Sequence, residues 1–182
     1  MKSIIKGIKK LVTISVTIWV FNLSLFAQEE HVSGKLFYTE LGGPGVAMSA
    51  NFDKRFDSNS RLGFGFRVGA GFGRKNHAYY DFDGNYQGSL TYYSFPVGLN
   101  YVFGKPNCFK TFEVGVGLSL FTQKVSFYNY NEKDGNVIGF LAFMYRSMPL
   151  DGGFSWRIGL TPIIGTSGNM FPMGAIGIGY VF

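Results

Sequence analysis

Seven charged side chains sit at alternate positions within glycine-rich, apolar segments: Glu40, Asp53, Arg55, Arg67, Glu113, Arg146 and Arg157. Successive side chains of a strand point to opposite faces, so each of these shares a face with small residues and not with the neighbouring aliphatic ones. On the inside of a closed sheet such charges have little water, and each needs a partner. The chemistry this predicts is ion pairing, with Glu113, Asp53 and Glu40 set against Arg67, Arg146 and Arg157. The interspersed glycines leave the volume that arginine side chains would occupy. Other chemistries are poorly supplied. The two histidines, His31 and His77, have no nucleophile and acid at a spacing that assigns a catalytic set, so no catalytic residue and no enzymatic activity are expected. The segment Asp81-Phe82-Asp83-Gly84-Asn85 is oxygen-rich. It lacks the full calcium-ligand series and its closing Glu, and reads as a polar turn, with no metal or cofactor expected. Aromatic residues crowd two inter-strand segments, Tyr79, Tyr80, Phe82 and Tyr86 in one and Phe127, Tyr128 and Tyr130 in the other. They suit either an interfacial girdle or a contact surface for a protein, glycan or lipid.

The elements that would position these groups are strands. Period-2 alternation recurs in eight segments separated by turn residues: 35–41, 46–56, 61–73, 89–103, 110–125, 137–147, 153–164 and 173–182. The third has the cleanest pattern. Leu62, Phe64, Phe66, Val68, Ala70 and Phe72 share one face, with Arg61, Gly63, Gly65, Arg67, Gly69, Gly71 and Gly73 on the other. In the second, Val46 is placed with Met48, Ala50 and Phe52. The sixth is apolar on both faces. There Leu141, Phe143 and Tyr145 are placed outward and Arg146 inward, because a charge facing lipid would cost about 2–4 kcal/mol. Pro96, inside the fourth, predicts a bulge or irregularity. Gly42–Gly45 is read as a turn, with a bulge as the alternative. Beyond the first 27 residues no helical periodicity of useful length appears. The fold expected is all-β, an eight-stranded antiparallel transmembrane β-barrel with both termini on one side, preceded by a cleavable signal peptide. A soluble barrel would need polar outward faces, and these are apolar.

Lys2, Lys6, Lys9 and Lys10 precede an apolar stretch from Leu11 to Phe26, with Ala27 as a small residue for cleavage. A retained anchor is the alternative, but the run is short for a span and contains Thr13, Ser15, Thr17, Asn22 and Ser24. The expected organisation is a signal peptide over 1–27, an N-terminal extension over 28–34 and the barrel over 35–182. Residues 1–27 hold four lysines and no acid, so the remaining 155 residues carry 13 basic and 11 acidic side chains. That near balance gives no reason to expect a nucleic-acid partner. The one cysteine, Cys108, cannot form an internal disulfide.

The pattern resembles the small outer-membrane barrels of the OmpA/OmpX-like class. The resemblance is carried by Phe26-Ala27-Gln28, the alternating strand Gly63–Gly73, Phe95-Pro96-Val97-Gly98-Leu99-Asn100-Tyr101 and the terminal Tyr180-Val181-Phe182. It implies integral localisation in the cell outer membrane of a two-membrane bacterium, with outer-membrane lipid and the barrel assembly machinery as partners. It also implies that the machinery reads the last strand, here Ile176, Ile178, Tyr180 and Phe182. The function expected is non-enzymatic, a structural or surface-interaction role with contacts made by the outer loops. A narrow channel for ions or small solutes is the alternative, and a lipid-modifying enzyme a third reading. Deleting Phe182 should reduce the membrane-inserted fraction in cell fractionation; unchanged insertion would contradict the role assigned to the terminus.

Overall fold

The computed structural model describes residues 34–80, 86–125, 135–165 and 168–182. They form ten strands: β1 Lys35–Gly42, β2 Met48–Arg55, β3 Gly63–Tyr80, β4 Tyr86–Gly104, β5 Lys110–Val125, β6 Gly135–Ser147, β7 Gly153–Leu160, β8 Ile163–Ile164, β9 Met170–Phe171 and β10 Gly174–Val181. β1 to β7 pair antiparallel in sequence order; β10 pairs with β7 and with β1, which closes the sheet. β8 continues β7 in the same register along β6, with Phe143↔Leu160 followed by Phe140↔Ile163. β9 likewise continues into β10. The ten segments are thus a closed barrel of eight staves. The breaks fall at Pro162 and Pro172, which have no N–H to give to a ladder.

Polarity is inverted relative to a soluble protein. The outward positions are large and apolar: Phe64, Leu99, Val116, Phe154, Leu160 and Ile178 are each about half exposed or more. The inward positions are charged, polar or glycine. Alternation alone produces this sorting, because each strand has one face toward a narrow lumen lined by its own side chains. Glycines make the lumen fit. A Cβ on Gly65 would lie 2.5 Å from the Arg55 Cζ, one on Gly117 2.5 Å from the Phe140 ring, and one on Gly179 2.5 Å from the Tyr38 Cβ.

Four sequence expectations need correction or refinement. Of the bulge or irregularity expected at Pro96, the irregularity forms without a bulge: the β3–β4 register is the same at Val68↔Val97 and Gly71↔Ser94, and β4–β5 pairing runs through Pro96↔Ser119. Only the rungs beside Pro96 on the β3 side are missing, as expected for a residue without an N–H. Second, β3 and β4 run well past the expected ends, so Tyr79, Tyr80 and Tyr86 lie on paired strand and not in a loop, with one register shift between Asn76 and Tyr79. Third, Val46 does not share the outward face of β2. Gly43–Gly45 forms a single 3-10 turn folded into the barrel, and Val46 packs against the buried cluster of Tyr92, Phe121, Ile138 and Ile163. Fourth, Arg67 forms no ion pair among the described residues. The Gly42–Gly45 segment is therefore a turn and not a bulge. Gly42 and Gly43 supply φ values of 72° and 66° there. Residues 1–33, which include His31 and the expected signal peptide, lie outside the described residues, as do Asp81–Asn85, Phe127, Tyr128 and Tyr130.

The start of β1, the C-terminal residue and the three short turns gather at one end, where Phe182 N–H donates to Lys35 O. Arg61, in the β2–β3 turn, ties these turns together. Its guanidinium donates to Met148 O at 2.7 Å, Pro106 O at 2.7 Å and Cys108 O at 2.5 Å. Burial lowers the Arg61 pKa, opposed by Cys108, yet a guanidinium stays charged throughout. Above it Leu36, Tyr38, Val102, Met148 and Val181 form an apolar floor. Arg61→Met should lower stability by about 2–3 kcal/mol, from the lost charge-assisted bonds and the orphaned carbonyls. The check is urea unfolding in detergent, and a change under about 0.5 kcal/mol would refute the tie.

Candidate functional site

Parity along each strand places the charged residues in one layer across the middle of the lumen. Glu40 comes from β1, Asp53 and Arg55 from β2, Arg67 from β3, Glu113 from β5, Arg146 from β6 and Arg157 from β7, and every one is buried. Glu113 is the hub. Arg146 Nη1 donates to its Oε2 at 2.6 Å and Arg157 Nη2 to its Oε1 at 3.1 Å. Arg157 Nε also lies 3.2 Å from Glu40 Oε1. Arg146 Nη1 is 3.6 Å from Asp53 Oδ2, so the two carboxylate groups of opposite walls share it. Asp53 pairs closely with Arg55, two residues along the same strand and on the same face.

The pairing differs from the sequence expectation in one respect. Arg67 has no carboxylate within 4 Å among the described residues. Its Nη1 donates to Tyr38 OH at 3.1 Å, and its Cζ stands 4.8 Å from the Phe140 ring centroid. The aromatic faces replace the missing anion in part, since a ring quadrupole attracts a cation. Arg157 Cζ lies over the other partner, 4.4 Å from the Tyr38 ring centroid. Arg55 takes the acidic partner left for a more distant arginine. Strand periodicity puts it on the Asp53 face, so the signal was present in the i, i+2 spacing. Two neutral members were missed. Asn100 accepts from Arg55 Nη2 at 2.6 Å and donates to Asp53, and Tyr38 stands between Arg67 and Arg157. Both lie on inward parity positions, but neutral side chains do not announce a role in charge pairing.

Above the charged layer the β1–β2 turn seals the lumen. Ser119 Oγ donates to Pro44 O at 2.8 Å and Ser94 Oγ to Gly45 O at 3.1 Å. Val46 closes a γ-turn, with φ 72° and ψ −55° and a bond from Ala47 N–H to Gly45 O. That conformation is rare and strained, more so for a β-branched residue.

Two features face outward. Aromatic residues form a chain near the short-turn end, Phe64–Tyr101–Phe103–Phe112–Tyr145–Trp156, with neighbouring ring centroids 4.7 to 6.5 Å apart. Ile176, Ile178, Tyr180 and Phe182 stand on the same outer surface, each about half exposed. At the opposite end β3 and β4 remain paired out to Tyr80↔Tyr86, although β2 accompanies β3 only to Phe72 and β5 accompanies β4 only from Ser94. This leaves a two-stranded ribbon that contains the positions of His77, Tyr79, Tyr80 and Tyr86. Among the described residues no group of three or more His, Cys, Asp or Glu is placed to hold a metal.

No family model and no curated protein matches the sequence. Among solved structures the chain is similar to the N-terminal β-barrel domain of Pseudomonas aeruginosa OprF, with 13% identity, a TM-score of 0.51, and coverage of 82% of this chain and 98% of that one. At that identity the likeness extends to the fold alone, a closed antiparallel β-barrel.

Glu113→Gln keeps the shape and removes the charge that holds Arg146 and Arg157. It should cost about 3–5 kcal/mol, the usual effect of leaving buried charges unpaired. Heat-dependent gel migration and urea unfolding measure it; wild-type resistance would show that the hub carries little of the stability.

Proposed function

We propose that this chain is a non-enzymatic outer-membrane barrel that crosses the bilayer as a sealed cylinder and acts through the surface it presents outside. The observation that carries the reading is the combination of an apolar exterior with an interior filled at three levels. Arg61 and the Leu36–Tyr38–Val102–Met148–Val181 floor occupy one end, the charged layer the middle, and the β1–β2 turn with Tyr92, Phe121, Ile138 and Ile163 the other. A closed barrel leaves no backbone group for lipid to desolvate, which is the condition for spanning a bilayer with strands.

The dimensions agree with a bilayer. On β4 the outward face is apolar from Phe95 to Phe103. About nine residues at about 3.3 Å each, tilted by about 40°, rise about 23 Å, close to the ~25 Å band of such barrels. The aromatic chain at one edge of this band suits the membrane interface. By the rule of short periplasmic turns, the end with Arg61 and the termini faces the periplasm and the β3–β4 ribbon projects outward. The ribbon supplies the contact surface: beyond Phe72 on β3, and beyond Tyr93 on β4, whose N–H donates to Thr122 Oγ1 at 3.0 Å, no further barrel strand pairs with its outer edges among the described residues, and an unpaired edge is a template for an extended polypeptide. Outer-membrane lipid and the barrel assembly machinery are the other partners of this reading.

The refolded protein should be electrically silent in a planar bilayer once heat-dependent gel migration has established that it is folded. Steady, reproducible single-channel steps would overturn the sealed-barrel reading in favour of a narrow channel.

A further inference from the structure

The charged layer does not balance. Among the described residues it contains four buried guanidinium groups, Arg55, Arg67, Arg146 and Arg157, and three buried carboxylates, Glu40, Asp53 and Glu113. Arg61 lies apart from the layer and spends its donors on turn carbonyls. The hydrogen-bond inventory is uneven in the same sense. Among the described residues six guanidinium nitrogens in the layer have no hydrogen-bond partner, Arg55 Nε, Arg67 Nη2, Arg146 Nε and Nη2, and Arg157 Nε and Nη1, of which Arg157 Nε alone lies in ion-pair range of a carboxylate, Glu40. On the acceptor side only the two Glu40 oxygens are in that position, and one of them already lies in ion-pair range of Arg157 Nε.

Surplus positive charge and surplus donors call for the same remedy. A water molecule offers donors and acceptors in equal number and brings no charge, so it relieves neither excess fully. A small anion offers acceptors alone and one negative charge. An unbalanced buried charge is costly, so the pull toward such a guest is large. The place for it is fixed by Tyr38. Arg67 donates to the hydroxyl of that residue, while Arg157 covers its ring, so the two cations flank one side chain. The same two guanidinium groups each keep a donor without a hydrogen-bond partner, Arg67 Nη2 and Arg157 Nη1. Arg67 is also the one guanidinium of the layer without a carboxylate within 4 Å. The lumen is sealed above by the β1–β2 turn, so the guest must be compact and enclosed when the barrel forms.

We propose that the lumen binds one small monovalent anion of the halide class between Arg67 and Arg157, beside Tyr38. This goes beyond the sealed-barrel reading and is tested without reference to conductance. The protein is refolded in detergent at constant ionic strength in sodium gluconate, whose anion is too large to enter, with bromide replacing gluconate from about 1 to about 100 mM. Bromide should raise the thermal midpoint of the wild type by several degrees, as expected for a ligand bound by the folded state alone. Arg67→Met, which removes the surplus charge, should show no such rise. Crystals grown in bromide should give an anomalous peak beside Arg67. A midpoint indifferent to bromide, an equal rise in both proteins, or an anomalous map without that peak would each overturn the proposal. If Arg67→Met does not fold, the anomalous map on the wild type decides alone.

Discussion

Two arginines from adjacent strands meet on the Glu113 carboxylate, and the interior is built outward from that meeting. Arg146 and Arg157 occupy β6 and β7, while Glu113 stands on β5, so the hub binds three consecutive staves. Through the second contact of Arg157 it reaches Glu40 on β1, and through Arg146 it reaches Asp53 on β2. Asn100 brings in β4. A barrel wall already has a continuous hydrogen-bond ladder. The network adds a constraint that the ladder lacks: it holds opposite walls at a fixed separation and a fixed vertical register. Slipping any of these strands by one residue would send its charge to the apolar exterior, so the network also guards against mispairing.

The size of the interior has to be met residue by residue. Inward glycines stand against the bulkiest inward side chains, Gly65 against Arg55, Gly117 against Phe140, Gly179 against Tyr38. Neither partner is explained alone. The long side chains would not fit across strands carrying Cβ atoms at those rungs, and the glycines would leave voids without the long side chains. This matching accounts for the abundance of glycine in a sheet, where it is otherwise unfavourable.

Much of this was legible from alternation. The eight staves, their inward and outward faces and the placement of Arg146 on the inner face of an ambiguous strand follow from a period of two combined with the rule that charge avoids lipid. What could not be read has physical reasons. Partner choice inside the lumen depends on height as well as face, and height is set by strand stagger, which periodicity does not encode; hence Asp53 takes Arg55 as its near partner and shares the more distant Arg146 with Glu113. Tyr38 and Asn100 were overlooked because neutral side chains carry no demand for a counter-charge. The inward fold of Gly43–Val46 depends on Ser94 and Ser119 waiting on other strands. The ribbon formed by β3 and β4 reads as loop in the sequence because its polar residues have no apolar face to betray a strand.

Seven of the eight seams in the wall join strands that are neighbours in sequence, and the eighth joins Leu36 to Val181. That seam has a kinetic meaning. Closing it brings together positions roughly four doublings farther apart than the ends of a hairpin, about 2–3 kcal/mol of extra chain entropy. Until then β1 and β10 each present a bare edge, and the charges of the lumen are open to water. An unclosed sheet of this chain would have two adhesive borders and an apolar back, and the single β1–β10 seam removes both borders at once, so that the wall is latched as a hoop is.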